Sequence, residues 1–169
     1  MPAASLFLRS LLFTILIPGS VAAVVPFLIL SFERASTPHP WSPVGLLGLI
    51  PMIAGTVLLM QCIVHFARHG KGTLAPIDPP THLVVRGPYR WVRNPMYCAV
   101  LAILIGECVL FQSVVLMLYT AAWFAMVNLF VLFYEEPRLR RQFGEVYASY
   151  CRDVRRWIPG RRRRGSGMV

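Results

Sequence analysis

Three long stretches without a charged residue constrain this chain more than any other feature. They cover residues 11–32, 41–64 and 108–134. A helix needs roughly 20 apolar residues to cross about 30 Å of hydrocarbon, and each stretch is long enough. Only 14% of all residues are charged, whereas a soluble domain carries about a quarter. The sequence therefore predicts an integral membrane protein, and its 169 residues correspond to a single domain.

The apolar runs and the polar turns between them predict an all-α protein with about four transmembrane helices. The expected spans are residues 6–32, 43–66, 96–112 and 114–134. Only Gln112 and Ser113 separate the last two spans, so these should form a tight helical hairpin. Glycines in the second span should allow close contact between helices. The first span resembles a signal peptide, but its apolar run continues past the VAA segment, so an uncleaved span is expected.

Apart from Arg9 and Glu107, the charged residues lie outside the expected spans. A polar loop covers residues 67–95, and a charged amphipathic helix from about residue 137 to 150 leads into a basic tail that ends at residue 169. Of the 17 lysines and arginines, only Arg34 lies between the first two spans. An even number of spans puts all the other basic regions on one side, which the positive-inside rule makes cytoplasmic. Both termini and the polar loop should therefore be cytoplasmic.

The net charge of +10 does not indicate nucleic-acid binding, because the basic residues flank the apolar runs. Membrane lipids are the expected partner of these residues. The four cysteines form no CxxC pair, and no His/Cys cluster indicates a metal site. The sequence also lacks a GxGxxG motif and a P-loop. The oligomeric state is left open.

Glu107 is an acid within the third expected span. Acids at such positions are functional candidates by default. Because it lies five residues before Gln112, its side chain is expected instead to snorkel toward the membrane interface.

Two polar segments should meet at the cytoplasmic membrane face. The hairpin brings residues near 96 close to residues near 134. The segment RGPYRWVRNPMY, residues 86–97, then lies beside the paired acids Glu135 and Glu136. A pocket lined by these acids, nearby tyrosines and arginines would suit a zwitterionic cofactor with a carboxylate, an ammonium group and a ribose. The residues expected to line it are Asn94, Tyr97, Glu135, Glu136 and Arg140.

The segments LVVRGPYRWVRNPMY and EEPRLRRQFGEVYASYCRDVRRWIP together resemble the isoprenylcysteine carboxyl methyltransferase and phospholipid methyltransferase superfamily. Its members are small integral membrane enzymes that use S-adenosylmethionine, and the resemblance covers about residues 83–159. It implies that Arg140 and Glu136 serve catalysis at the mouth of the site. Many relatives carry histidine at the position of Asn94, and asparagine can form hydrogen bonds but cannot carry a proton. The implied cofactor-binding residues are Tyr89, Arg93, Asn94, Pro95, Met96, Tyr97, Glu135 and Glu136.

The function expected from this resemblance is methyl transfer from S-adenosylmethionine to a lipophilic or membrane-delivered acceptor. The acceptor group could be a carboxylate, an amine, a thiol or a phenol. Two alternatives stay open: an NADPH-dependent membrane reductase of the sterol and steroid type, and a non-enzymatic membrane scaffold. Individual residues also have structural interpretations. The arginines of the loop could bind lipid phosphates, and Glu136 could cap a helix and pair with Arg140.

Overall fold

The computed structural model describes residues 18–33, 42–69, 83 and 85–159. Every regular element within these residues is helical, which confirms the all-α prediction for this part of the chain. The parts of the predictions that concern residues 6–17, 34–41, 70–82 and 160–169 lie outside the described residues. The helices are α1 (Ser20–Glu33), α2 (Pro43–Leu46), α3 (Leu49–His69), α4 (Pro95–Phe111), α5 (Val114–Phe130) and α6 (Glu136–Asp153), with a 3-10 turn at Gly87–Arg90.

Two helical stretches are long and apolar enough to cross a membrane. They are Pro43–His65, which combines α2 with most of α3, and Val114–Asp153, which runs from α5 through α6. Much of their apolar surface faces outward, as does that of α1: Phe32 is 88% exposed and Phe133 is 78% exposed. Exposed apolar surface on this scale suits lipid contact better than water. α1 and α4 are apolar but shorter, so the arrangement of four spans stays a prediction.

Small residues bring α3 and α4 into close contact. A methyl group added at Gly55 would lie 2.6 Å from the carbonyl oxygen of Ala99, and one added at Gly106 would lie 2.4 Å from Cγ of Met52. The two backbones can approach this closely only because these positions lack side chains. The predicted close contact through the glycines of the second span is confirmed.

α4 and α5 are joined by Gln112 and Ser113, the two residues predicted to form the turn. Gln112 adopts the left-handed conformation, with φ of 51°, and the Ser113 hydroxyl accepts a hydrogen bond of 3.0 Å from the Leu116 N–H. This cap satisfies one of the free N–H groups at the start of α5. The core between the two helices contains Val100 and Leu104 of α4, Trp123 and Val127 of α5, and Val131 directly after α5.

The helix after the hairpin differs from the prediction. A separate helix is expected from residue 137, but α5 continues into α6 through a π-helical turn, Val131–Glu135. Pro137 has no N–H to donate to the preceding turn. The π turn accommodates this, because the Glu136 N–H bonds the Val131 carbonyl five residues earlier. The helix bends later, at Gly144, where φ is 51°.

Beyond this bend the chain folds back onto the polar loop. Tyr147, Tyr150 and Val154 form a buried cluster against Leu83 and the first half of α6. Residues 154–157, here called the C-terminal segment, follow directly. Packing of α6 thus brings this segment to the start of α4.

Glu107 is enclosed by the protein, contrary to the expectation that it snorkels. It is only 7% exposed, and within the described residues its Oε2 atom has no hydrogen-bond partner. Its position on α4, close to Gly106, places it inside the helix bundle. The tight packing of α4 leaves the side chain little room to extend outward.

Candidate functional site

The two motifs singled out in the sequence are joined along their backbones. The N–H of Arg93 donates to the carbonyl of Arg155 at 2.9 Å, and that of Asn94 to the carbonyl of Arg156 at 3.4 Å. Val92 and Arg155 form a parallel bridge. Backbone pairing fixes the relative register of two segments independently of their side chains. The C-terminal segment is therefore part of the structure that surrounds the start of α4.

Glu136 links three parts of this region. Its carboxylate accepts hydrogen bonds from Arg156 Nε at 2.7 Å and Nη2 at 2.9 Å. Arg93 Nη1 lies 3.2 Å from the same carboxylate. Glu136 is only 6% exposed, so its charge requires these partners. The hydrogen bonds from Arg156 to Glu136 raise the pKa of Arg156, and both oxygens of Glu136 are occupied.

Glu135 is bound differently from its neighbour. The Tyr97 hydroxyl donates to Glu135 Oε2 at 3.1 Å. This contact joins the first turn of α4 to the end of the π turn, as the hairpin topology predicts. Within the part of the chain that the structure describes, no lysine or arginine forms an ion pair with Glu135. Among the described residues, no protein cation would therefore compensate the charge of Glu135 when its carboxyl is ionised.

Asn94 presents a buried donor at the beginning of α4. The backbone carbonyl of Asn94 accepts a hydrogen bond of 3.1 Å from the Cys98 N–H, but the Asn94 side chain makes no capping hydrogen bond. The residue is 9% exposed, and its Nδ2 atom has no partner among the described residues. The same holds for Nε of neighbouring Arg93. An unsatisfied buried donor costs about 1–3 kcal/mol, which is typical of a site where a ligand supplies the acceptor.

Tyr89 belongs to the 3-10 turn that precedes α4. Its carbonyl accepts from the Tyr150 hydroxyl at 2.7 Å, which holds the 3-10 turn against α6. As a residue Tyr89 is half-buried, yet its hydroxyl lies deep enough that burial, followed by the nearby Cys62 and Glu135, raises its pKa well above the usual value. Burial therefore disfavours the ionised form of the Tyr89 hydroxyl.

Gly87 sets the position of the 3-10 turn against α3. Its φ is +60°, a conformation that favours glycine, and a methyl group added there would lie 2.4 Å from the ring of His65. The glycine within RGPYRW therefore serves both a backbone conformation and a close approach. This contact brings the 3-10 turn, and Tyr89 with it, beside the C-terminal end of α3.

The remaining predicted residues are placed at the edge of this arrangement or outside it. Pro95 is buried at the first position of α4, and Met96 packs against the apolar cluster that includes Leu59 and Ile63. Arg140 is exposed on α6, and no described contact joins it to Glu136. The structure thus brings together five of the residues predicted for the site: Arg93, Asn94, Tyr97, Glu135 and Glu136.

Three residues of the region were not singled out from the sequence. Arg156 pairs with Glu136, and Trp157 Nε1 donates to Asn128 Oδ1 at 3.1 Å. Arg156 and Trp157 belong to the RRW sequence of the second segment that resembles the superfamily. That motif was the feature of the sequence that could have identified them. Asn128 is the only asparagine in the long apolar run from 108 to 134. An asparagine within such an apolar run indicates a specific hydrogen bond.

Comparison with known families identifies the class of protein. The family model described as phospholipid methyltransferase matches residues 44–146. This match covers more than half of the chain, so the chain belongs to the phospholipid methyltransferase family. It also confirms the resemblance to the wider superfamily of membrane methyltransferases. The C-terminal segment lies outside the matched residues. A search of curated proteins returned no match.

The family match and the two long apolar helices indicate the same class of protein. Membership points to a methyltransferase, and the exposed apolar helices point to a membrane protein.

Proposed function

We propose that this protein is an S-adenosylmethionine-dependent methyltransferase that acts at the cytoplasmic face of a membrane. The observation that carries the proposal is the buried, unpartnered Nδ2 of Asn94, three residues before Tyr97 and its hydrogen bond to Glu135. An open donor and a carboxylate without a described cationic partner provide complementary groups for a zwitterionic ligand. Family membership supports methyl transfer as the reaction.

The residues of the site fit the proposed cofactor in charge. S-adenosylmethionine, when bound, supplies a methyl group activated by a sulfonium cation. The carboxylate of Glu135 would favour a cationic ligand, and Tyr97 would fix the direction of that carboxylate. Asn94 Nδ2 and Arg93 Nε would donate to an acceptor atom of the ligand. Glu136 serves as a positioning residue, because both of its oxygens are held by arginines.

The acceptor in this proposal is lipophilic or delivered by the membrane, with a carboxylate, amine, thiol or phenol as the methylated group. Exposed apolar helices around the site would let such a molecule approach from the bilayer. Arg140, exposed at the start of α6, would hold an anionic group of the acceptor or the cofactor at the mouth of the site. Positioning and exclusion of water, rather than a strong base, then account for most of the rate.

The arrangement in the membrane is part of the same proposal. Four spans, with both termini and the site in the cytoplasm, put the Tyr97–Glu135 pair at the membrane surface. The amphipathic part of α6 would then lie along that surface.

The proposal is tested by titrating the detergent-purified full chain with S-adenosylhomocysteine, the product form of the cofactor. We expect saturable heat in calorimetry and a rise in the thermal unfolding midpoint, since a ligand that binds only the folded state stabilises it. Asn94→Ala should weaken binding about ten-fold or more, because it removes a buried donor. Arg86→Ala is the matched control, because Arg86 is an exposed cation on the same loop.

Two results would overturn the proposal. One is the absence of stabilisation at millimolar S-adenosylhomocysteine. The other is saturable binding of NADPH in its place, which would favour the reductase alternative. Where binding is found, transfer of a tritiated methyl group from S-adenosylmethionine to a membrane lipid extract would identify the acceptor.

A further inference from the structure

The side-chain amide of Asn128, in the apolar helix α5, accepts a hydrogen bond from a tryptophan of the C-terminal segment. Asn128 Oδ1 accepts the indole N–H of Trp157 at 3.1 Å. The two residues belong to different elements, α5 and the C-terminal segment. Placing an amide on an apolar helix is costly unless it is hydrogen-bonded. The indole satisfies the amide oxygen, so the pair explains why asparagine occupies this position.

Trp157 fills the space between the two helices of the hairpin. Its ring centroid lies 5.2 Å from that of Phe124 on α5, with an edge-to-face orientation. The centroid of the Tyr97 ring on α4 is 6.4 Å away. Cys98 Sγ, also on α4, lies 3.5 Å from the Trp157 carbonyl. The indole is therefore fixed at three points: its N–H, its ring and its backbone.

This arrangement leads directly to the proposed site. The Tyr97 ring that packs against Trp157 carries the hydroxyl that bonds Glu135. Glu135 itself is seven residues beyond Asn128 on the same continuous helix, about two turns away. Asn128 therefore fixes one wall of the space in which Tyr97 and Glu135 meet, without touching either in the contacts described.

We infer that Asn128 and Trp157 form a positioning pair that sets the geometry of Tyr97 and Glu135 for ligand binding. The inference rests on the proposed function. It assigns a role in the site to the C-terminal segment, which lies outside the residues matched by the family model. A positioning pair differs from ordinary packing in its effect on the ligand: loss of packing would lower the stability of the protein but not its affinity for the ligand.

The test is a double-mutant cycle in the detergent-purified full chain. Asn128→Leu removes the acceptor, and Trp157→Phe removes the donor but keeps an aromatic ring. Each change should weaken S-adenosylhomocysteine binding about three- to ten-fold, the range for one hydrogen bond. Both changes remove the same interaction. The affinity of the double variant should therefore be at most about two-fold lower than that of the single variant with the lower affinity. Asn128→Gln, which keeps a neutral amide, should recover most of the affinity.

Thr120→Val is the matched control. Thr120 lies on the same helix, and its hydroxyl contacts Cys108 on α4 at 3.3 Å, far along the helix from the site. The Thr120→Val change should at most lower the thermal midpoint, and it should leave the affinity for S-adenosylhomocysteine unchanged. Wild-type affinity in Asn128→Leu, or single effects that multiply in the double variant, would overturn the inference.

A second measurement separates this inference from the proposed function. The difference between the emission spectra of the wild type and Trp157→Phe isolates the fluorescence of Trp157, without any ligand. The same difference taken between Asn128→Leu and the double variant should be shifted, because the indole N–H has lost its partner. If the wild type does not bind S-adenosylhomocysteine, the proposed function fails. An unchanged Trp157 spectrum overturns the positioning pair in either case.

Discussion

Arg156 holds Glu136 through two hydrogen bonds, of 2.7 and 2.9 Å, although the residues are 20 positions apart in the sequence. The planar guanidinium matches the two carboxylate oxygens, and this bidentate geometry is the strongest form of such a pair. Arg93 completes a cluster in which one buried acid neutralises part of the charge of two arginines. The cluster ties the loop before α4 to both ends of α6.

Arg156→Ala should destabilise the protein, because it removes a pair of charge-assisted hydrogen bonds from a buried carboxylate. We expect a loss of about 2 kcal/mol, seen as a lower thermal midpoint in detergent. Arg155→Ala is the control, since Arg155 is exposed and only its carbonyl bonds the loop. Equal midpoints for the two variants would contradict the importance of the bidentate pair.

Gly106→Ala should separate α3 from α4. The added methyl group would lie 2.4 Å from Met52 Cγ and 2.5 Å from the carbonyl oxygen of Gly48, and backbone cannot move aside as a side chain can. We expect a loss of about 2 kcal/mol, as for overpacking of a core, measured by thermal unfolding. Ile105→Ala, at an exposed neighbouring position, should change the midpoint little. A Gly106→Ala protein as stable as the wild type would refute the close contact.

Glu107→Leu should stabilise the protein. The change replaces a buried carboxylate, one of whose oxygens has no described partner, by an apolar side chain. We expect a gain of at least about 1 kcal/mol in thermal unfolding. Glu33→Leu should have the opposite effect, because the Glu33 carboxylate accepts a hydrogen bond from the Ser113 hydroxyl. Lower stability of Glu107→Leu would indicate that the acid has a partner or a role that the bundle requires.

Tyr97→Phe and Glu135→Gln should weaken S-adenosylhomocysteine binding to different extents. Phenylalanine keeps the ring beside Trp157 and leaves the charge of Glu135, so a loss of about three- to ten-fold is expected. Glutamine removes the negative charge itself, so its effect should be larger. Tyr134→Phe is the control, because the Tyr134 hydroxyl is exposed and bonds Arg138. Calorimetric titration measures all three, and a greater loss for Tyr97→Phe would contradict the role given to the Glu135 charge.

Much of the fold follows from local patterns. The apolar runs, the two-residue turn at Gln112 and Ser113, and the glycines of α3 each express a preference of a short segment. Short segments keep such preferences in almost any tertiary context. The approach of Tyr97 to Glu135 was also predictable, because a tight hairpin leaves few other arrangements for its two ends.

The partners of individual charged side chains did not follow from the sequence. A helical spacing favours Arg140 as the partner of Glu136, since the two are four residues apart, but Arg93 and Arg156 occupy both oxygens instead. Pro137 indicates a helix start, yet a π turn carries the helix through it. Glu107 is near enough to the turn to snorkel, but packing of α4 encloses it.

The order of apolar and polar residues alone is sufficient to establish a helical membrane protein with a cationic segment before α4 and two acids after α5. Tertiary packing decides which acid lacks a cationic partner. Glu136 is paired with arginines from two separate segments, Arg93 before α4 and Arg156 after α6, whereas the described hydrogen bond to Glu135 comes from Tyr97. The physical reason is the separation along the chain over which each effect acts. Helix and turn preferences act over a few residues, whereas the pairing of a buried charge depends on which distant donors packing brings within about 3 Å of it.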